Sequence, residues 1–211
     1  MSRRIIGLTG NIATGKSAVM RLAAERGALT IDADRVVHEL LAMDAAIQGE
    51  VVAAFGPDVR RAGGGIDRAA LGRVVFGDAG RLRQLEAILH PAVRLEIARR
   101  VEASDTPVIV IEAIKLLEGP LAALCDQVWV TACARETQMA RLRVCRGMAE
   151  ADAAARVDAQ SPQADKIARA DVVIRTDGLL RETEEQFNAA WALLGEGVSA
   201  LSPTLSRGAR G

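Results

Sequence analysis

Residues 7–17 read GLTGNIATGKS, and within them Gly10 to Ser17 match the spacing G-x-x-x-x-G-K-[ST] without a gap. The flanks decide whether such a match means anything. Arg4 to Thr9 (RIIGLT) is a short apolar run that reads as a buried parallel strand. Ser17 to Arg26 (SAVMRLAAER) has helical spacing, and Gly27 stands where a helix C-cap is expected. Ala28 to Ile31 (ALTI) is a second short strand, so the chain opens as strand, Gly-rich loop, helix, strand. Gly10 and Gly15 let the backbone curl until successive N–H groups face phosphate oxygens. The helix that starts beside Lys16 adds its positive end. Lys16 is expected to reach the β- and γ-phosphates and the Ser17 hydroxyl to ligate Mg²⁺. Gly10, Asn11, Ala13, Thr14, Gly15, Lys16, Ser17 and Ala18 are the candidate contacts to a nucleoside triphosphate.

Outward from this loop the chain continues in kind. Pro107 to Glu112 (PVIVIE), Gln127 to Thr131 (QVWVT) and Asp171 to Arg175 (DVVIR) are three further apolar strands. Helical patterns separate them, ending with Leu180 to Leu194. Five short strands between helices predict a three-layer α/β fold with a five-stranded parallel sheet. Residues 33 to about 104 lack strand signals and read as a helical insertion broken by the Gly-rich turn Arg61 to Gly65. Glu136 to about Gln160 reads as helical and Arg-rich, with a bend near Gly147. Gly195 to Gly211 is rich in Gly, Ser, Pro and Arg and is expected to be poorly ordered.

Composition narrows the class. The 211 residues carry 27 basic and 27 acidic side chains, which argues against a bulk nucleic-acid or anionic-membrane binder. Only three of the basic residues are lysines: Lys16, Lys115 and Lys166. Cys125, Cys133 and Cys145 show no CxxC spacing, which fits a reducing cytoplasm, and they read as small buried hydrophobes. The apolar part of the N-terminus is too short for a signal peptide, and no apolar run approaches the roughly 18 residues of a membrane span.

Phosphate binding does not say what receives the phosphoryl group. The sequence lacks both the guanine-reading N/T-K-x-D and the D-x-x-G of a GTPase, and the chain is short for a motor or transporter ATPase. A small-molecule kinase fits. Asp32 and Asp34 follow the second strand, at the ligand-facing end of the sheet. A kinase acting on an alcohol needs a carboxylate to orient the hydroxyl and accept its proton, and one member of such a pair often caps the following helix instead. Arg135, Arg141, Arg143, Arg146 and Arg156 crowd the stretch after the fourth strand. Guanidinium groups there suit the spread charge of a phosphoryl transfer, or form a solvated basic surface.

The ordered set GLTGNIATGKS, Asp32-Ala33-Asp34 with His38, Leu89-His90-Pro91, the strand end IEAIKLLEG, then Gln138, Arg141, Arg146-Gly147, Gln160, Lys166 and Ala170-Asp171 resembles the dephospho-coenzyme A kinase family, from about Ile5 to Trp191. The resemblance implies ATP-dependent phosphorylation of the ribose 3′-hydroxyl of dephospho-coenzyme A. A different P-loop small-molecule or nucleoside monophosphate kinase is the alternative. It also implies a core of residues 1–35, 105–138 and 167–195, an acceptor-binding insertion of 36–104, a lid of 139–166, and a tail of 196–211. Asp34 matches the family's general base, Lys16, Arg141 and Arg146 its charge-stabilising cations, and Asp32 and His90 its acceptor side. His90 before Pro91 also fits a helix start. Three positions depart from the family pattern. Asn11 stands where glycine is usual, Lys115 enters a site without a charge, and Thr176 replaces the asparagine after the last strand. Lys115, at a ligand-facing strand end, is read as a phosphate contact. The enzyme is expected to be cytoplasmic and monomeric or weakly homo-oligomeric, without nucleic-acid or membrane partners.

Overall fold

The computed structural model describes residues 3–196, so the greater part of the expected tail lies outside the described residues. Five strands, β1 (Arg4–Thr9), β2 (Leu29–Asp32), β3 (Val108–Glu112), β4 (Gln127–Ala132) and β5 (Val172–Arg175), form one sheet in the order β2-β3-β1-β4-β5. Every neighbouring pair is parallel. Because β1 pairs with both β3 and β4, the loop that follows it leaves from the middle of the sheet. The register sets Asp32 opposite Glu112, which brings two acids to one level at the carboxyl edge.

Strand alternation explains the two covered faces. Val110 points with Ile6, Leu8 and Trp129 into a core closed by Val19 of α1 (Lys16–Glu25) and Phe187 of α9 (Leu180–Glu196). The Trp129 and Phe187 rings meet edge-on at 5.9 Å and 74°. Ile109 and Ile111 point the other way, onto Val36 and Leu40 of α2 (Ala33–Met43) and Ile97 and Val101 of α5 (Ala79–Glu102). Buried β-branched residues on both faces are what a central parallel strand requires.

The sequence reading gives the insertion one break, at Arg61 to Gly65, and the structure has two more, at Asp44 and at residues 76–78. Helices α2, α3 (Ala45–Phe55), α4 (Arg68–Val75) and α5 begin at Asp32, Asp44, Asp67 and Asp78, whose carboxylates each accept backbone N–H groups of the first turn. A short acidic side chain that satisfies these orphan donors ends one helix and starts the next. Helix α5 joins insertion to core through one stripe. Leu85 and Leu89 fill the insertion's own core with Val51 and Phe55, whereas Val93, Ile97 and Val101 pack on the sheet. It runs unbroken through Pro91, so His90 is not a helix start.

The Arg-rich stretch is two helices, α6 (Arg135–Arg146) and α7 (Glu150–Asp158), separated by Gly147 at φ 63°, with the short α8 (Gln163–Ile167) beyond them. Its small core of Leu142, Ala153 and Val157 packs directly on Ile12 and Ala13 of the Gly-rich loop. Among the described residues no helix is long and apolar enough to cross a membrane. The three cysteines are free, and Cys145 is exposed rather than buried because α6 turns that side to solvent.

Candidate active site

The loop between β1 and α1 owes its shape to two backbone demands. Gly10 has φ 151°, and a Cβ there would lie 2.5 Å from the Thr131 carbonyl oxygen. Gly15, at φ 88°, is the left-handed N-cap of α1, where a side chain would press on Thr176. Ala13 also adopts a left-handed conformation, at φ 59°.

The loop carbonyls are held one by one. Lys16 Nζ donates to Gly10 O at 3.0 Å and Asn11 O at 3.1 Å. Gln138 Nε2 donates to Ile12 O at 2.7 Å, Arg141 Nη1 to Ala13 O at 3.0 Å, and Thr176 Oγ1 to Thr14 O at 2.9 Å. Ile12 N–H donates to Gln160 Oε1 at 2.6 Å. By contrast, the N–H groups of Ala13, Gly15, Lys16 and Ser17 have no acceptor among the described residues. A loop with pinned carbonyls and free amides at a helix start is an anion cradle.

Charge gathers at the same edge. Lys16 is buried, and Glu112 Oε1 lies 3.9 Å from its ammonium. Burial lowers the Lys16 pKa; the fields of Lys166 and Arg146 lower it further, while Glu112 and Asp34 oppose them. Asp34 lies in the first turn of α2 and makes no hydrogen bond or ion pair among the described residues. Solvent reaches it, yet the surrounding protein desolvates the carboxyl and raises its pKa, Asp32 adds to the rise, and His38 and Lys16 oppose it. Glu112 is likewise raised, first by burial and then, against Lys16, by Asp32 and Asp34. The result is Lys16 beside three carboxylates at the edge of the cradle, a charge pattern suited to proton abstraction next to bound phosphates.

The sequence-predicted residues divide. Lys16, Asp32 and Asp34 share this electrostatic cluster, with Asp32 also acting as the N-cap by accepting from Arg35 N at 3.1 Å. Arg141 is turned to the rear of the loop, where it donates to Ala13 O and to both Thr176 Oγ1 and Thr176 O. Thr176 thus works as a loop support. Arg146 is exposed at the end of α6, and its field reaches Lys16. Arg135 pairs with Asp158 at 3.0 Å and Arg143 with Glu150 at 3.6 Å, so both are engaged in exposed ion pairs. His90 lies on the exposed side of α5 without an ion pair or hydrogen bond to the loop.

The Lys115 ammonium is engaged by an acid: it meets Glu86 Oε1 on α5 at 2.9 Å, in the open. Exposed pairs contribute little, about 0–1 kcal/mol. Lys115→Ala is therefore expected to leave ATP affinity and turnover unchanged in steady-state assays. A clear loss of ATP affinity would restore a phosphate contact.

Glu112 was missed as a site residue. Its signal was available: it ends the strongest strand, at the ligand-facing edge. Removing its charge beside Lys16 deletes an interaction of the size charged groups make, so Glu112→Gln is expected to lower kcat/KM roughly 10- to 100-fold. An unchanged kcat/KM would remove Glu112 from the site.

Comparison with known proteins bears on these residues together. A family model described as Dephospho-CoA kinase matches residues 4–182. A dephospho-CoA kinase of Symbiobacterium thermophilum is 46% identical over 199 residues, covering 92% of this chain and 83% of that protein. One of Geobacter sulfurreducens is 40% identical over 192 residues, covering 89% and 97%. Among solved structures, a Thermus thermophilus protein superposes with a TM-score of 0.80 at 31% identity, over 92% of this chain and 99% of that one. A shikimate kinase from Bacteroides thetaiotaomicron shares the fold, at a TM-score of 0.55 and 15% identity over 91% and 98%.

Proposed function

The chain belongs to the dephospho-CoA kinase family, and from that premise we propose how its residues divide the work of moving a phosphoryl group from ATP to the ribose 3′-hydroxyl of dephospho-coenzyme A. This is the final step of coenzyme A biosynthesis. The family match spans residues 4–182, the helical insertion as well as the cradle. That weighs against a different small-molecule kinase.

The observation that carries the reading is the pairing of a cradle of unsatisfied amides with an unpartnered carboxylate, Asp34, in the electrostatic field of Lys16. The loop amides and Lys16 hold the β- and γ-phosphates. Asp34 accepts the proton of the attacking hydroxyl. Asp32 fixes the first turn that carries Asp34, and Glu112 keeps Lys16 charged and aimed. Residues 36–104 bind the acceptor, and the α6–α7 lid, residues 139–166, carries Arg146 over the phosphates. Arg141 acts from behind, by holding the loop.

The residues present fit Mg²⁺. No group of three or more His, Cys, Asp or Glu side chains forms a metal cage among the described residues. Mg²⁺ characteristically keeps phosphate and water ligands with few protein oxygens. The exposed Ser17 hydroxyl would be its protein ligand, and Mg²⁺ when bound would offset the charge of the β- and γ-phosphates. Free cysteines fit a cytoplasmic enzyme, and we place it there as a monomer or weak homo-oligomer.

Incubation of the folded protein with ATP, Mg²⁺ and dephospho-coenzyme A tests the reading. Chromatography should show ADP and coenzyme A in equal amounts. A folded sample that binds ATP and forms no coenzyme A would overturn it.

A further inference from the structure

Lys166 looks from its sequence like a solvated lysine near the end of the lid, yet it is only 4% exposed. Its ammonium donates to Asn11 Oδ1 at 2.9 Å. The nearest carboxylate, Glu118 Oε1, lies 3.9 Å away and is itself partly solvated. One neutral amide and one distant, hydrated acid are poor compensation for a buried charge. Two of its three N–H bonds have no protein acceptor among the described residues.

Lys166 also lies within the field of a second buried ammonium. Both ammonium groups bond to Asn11, Lys16 to its carbonyl oxygen at 3.1 Å and Lys166 to its side-chain oxygen at 2.9 Å, and the field of Lys166 lowers the Lys16 pKa. Two cations enclosed near one loop repel until an anion lies between or beside them. Asn11 fixes the arrangement from the loop side, since its Nδ2 donates to Ser161 O at 3.1 Å while its Oδ1 accepts a hydrogen bond from Lys166 Nζ. Position 11 is thus a two-armed clamp between the loop and the segment that carries Lys166.

We propose that Lys166 is a second phosphate-facing cation of the cradle, held in place by Asn11, that favours a triphosphate over a di- or monophosphate nucleotide. This deepens the ATP-binding reading and rests on it. The simpler alternative is that Lys166 only braces Asn11. The two differ in what charge does: a brace needs a hydrogen-bond donor, whereas a phosphate cation needs a positive charge.

Lys166→Gln keeps a donor for Asn11 and removes the charge, Lys166→Arg keeps the charge, and Asn11→Gly removes the brace and leaves Lys166. Isothermal titration with ATP, ADP and AMP, in the presence of Mg²⁺, reads all three against the wild-type protein. For Lys166→Gln the expected result is a roughly tenfold weaker affinity for ATP, a smaller loss for ADP and none for AMP. Lys166→Arg should keep the wild-type preference for ATP over ADP, and Asn11→Gly should keep more of it than Lys166→Gln. KM for ATP should rise in Lys166→Gln while KM for dephospho-coenzyme A does not.

Equal losses for all three nucleotides in Lys166→Gln, matched by Asn11→Gly, would assign the bracing role and overturn the proposal. So would an unchanged ATP affinity. If Lys166→Gln does not fold, loss of the ATP preference in Lys166→Arg overturns it equally. Failure of the wild-type protein to bind ATP would instead overturn the underlying reading, and the two failures are thereby separate.

Discussion

Asp34→Asn lowers turnover roughly 10²- to 10⁴-fold, the range in which a positioned general base contributes, and leaves ATP affinity unchanged. Asparagine matches aspartate in size and keeps the first-turn position in α2 but cannot take a proton. The helix start does not depend on the lost charge, because Asp32 is the cap. Nor should folding suffer: Asp34 sits in a partly desolvated place near two other acids, so neutralising it relieves repulsion. Stopped assays for coenzyme A and calorimetric titration with ATP measure the two halves separately. Turnover at the wild-type rate would move the base elsewhere, and Glu112 would be the next carboxylate to test.

The pH profile gives an independent reading of the same residue. Only ionised Asp34 accepts a proton, so activity falls as pH drops through its pKa. Burial and Asp32 raise that pKa, which moves the acid limb of kcat/KM to higher pH than an ordinary aspartate would give. Asp34→Asn should abolish this limb in the residual activity. A limb that persists unchanged in Asp34→Asn belongs to another group.

Local pattern carried the fold because the informative signals here are short-range. A Gly-rich loop between an apolar strand and a helix, repeated strand–helix alternation, and the β-branched run of β3 are all set by neighbours in sequence. The insertion was less legible. Its helices are parted by the caps Asp44 and Asp78 as well as by glycine, and a lone aspartate in an apolar helical pattern reads as an exposed residue. Within the site, Lys16, Asp32 and Asp34 were readable because their spacing to a strand end fixes their place. Arg141, Lys115 and Lys166 were not. Their roles depend on partners 35 residues away for Arg141 and Thr176, 29 for Lys115 and Glu86, and 155 for Lys166 and Asn11. A basic residue near a phosphate site looks the same in sequence whether it meets phosphate, a carbonyl or a surface acid, and only the fold distinguishes them.

The second large effect falls on Lys16. Lys16→Met should weaken ATP binding and lower kcat, the latter by roughly 10²- to 10³-fold, as expected when one preorganised donor to developing charge is removed. Two roles converge on this ammonium. It ties Gly10 O to Asn11 O, so it shapes the N-terminal limb of the loop. With nucleotide it must turn part of its hydrogen bonding to phosphate, and Glu112 at 3.9 Å keeps it charged while it does so. Methionine fills the same buried space and donates nothing, so the core around α1 should persist and the unfolding temperature should change little. Lys16→Arg separates the roles, since it keeps charge but carries a planar fork too wide for the two adjacent carbonyls. It should recover part of the ATP affinity and little of the turnover. Because burial lowers the Lys16 pKa, ATP affinity should fall as pH rises through that value, earlier than for an exposed lysine. That alkaline limb should vanish in Lys16→Met. ATP binding and turnover at wild-type levels in Lys16→Met would mean that the loop amides alone hold the phosphates and that the ammonium serves only to shape the loop.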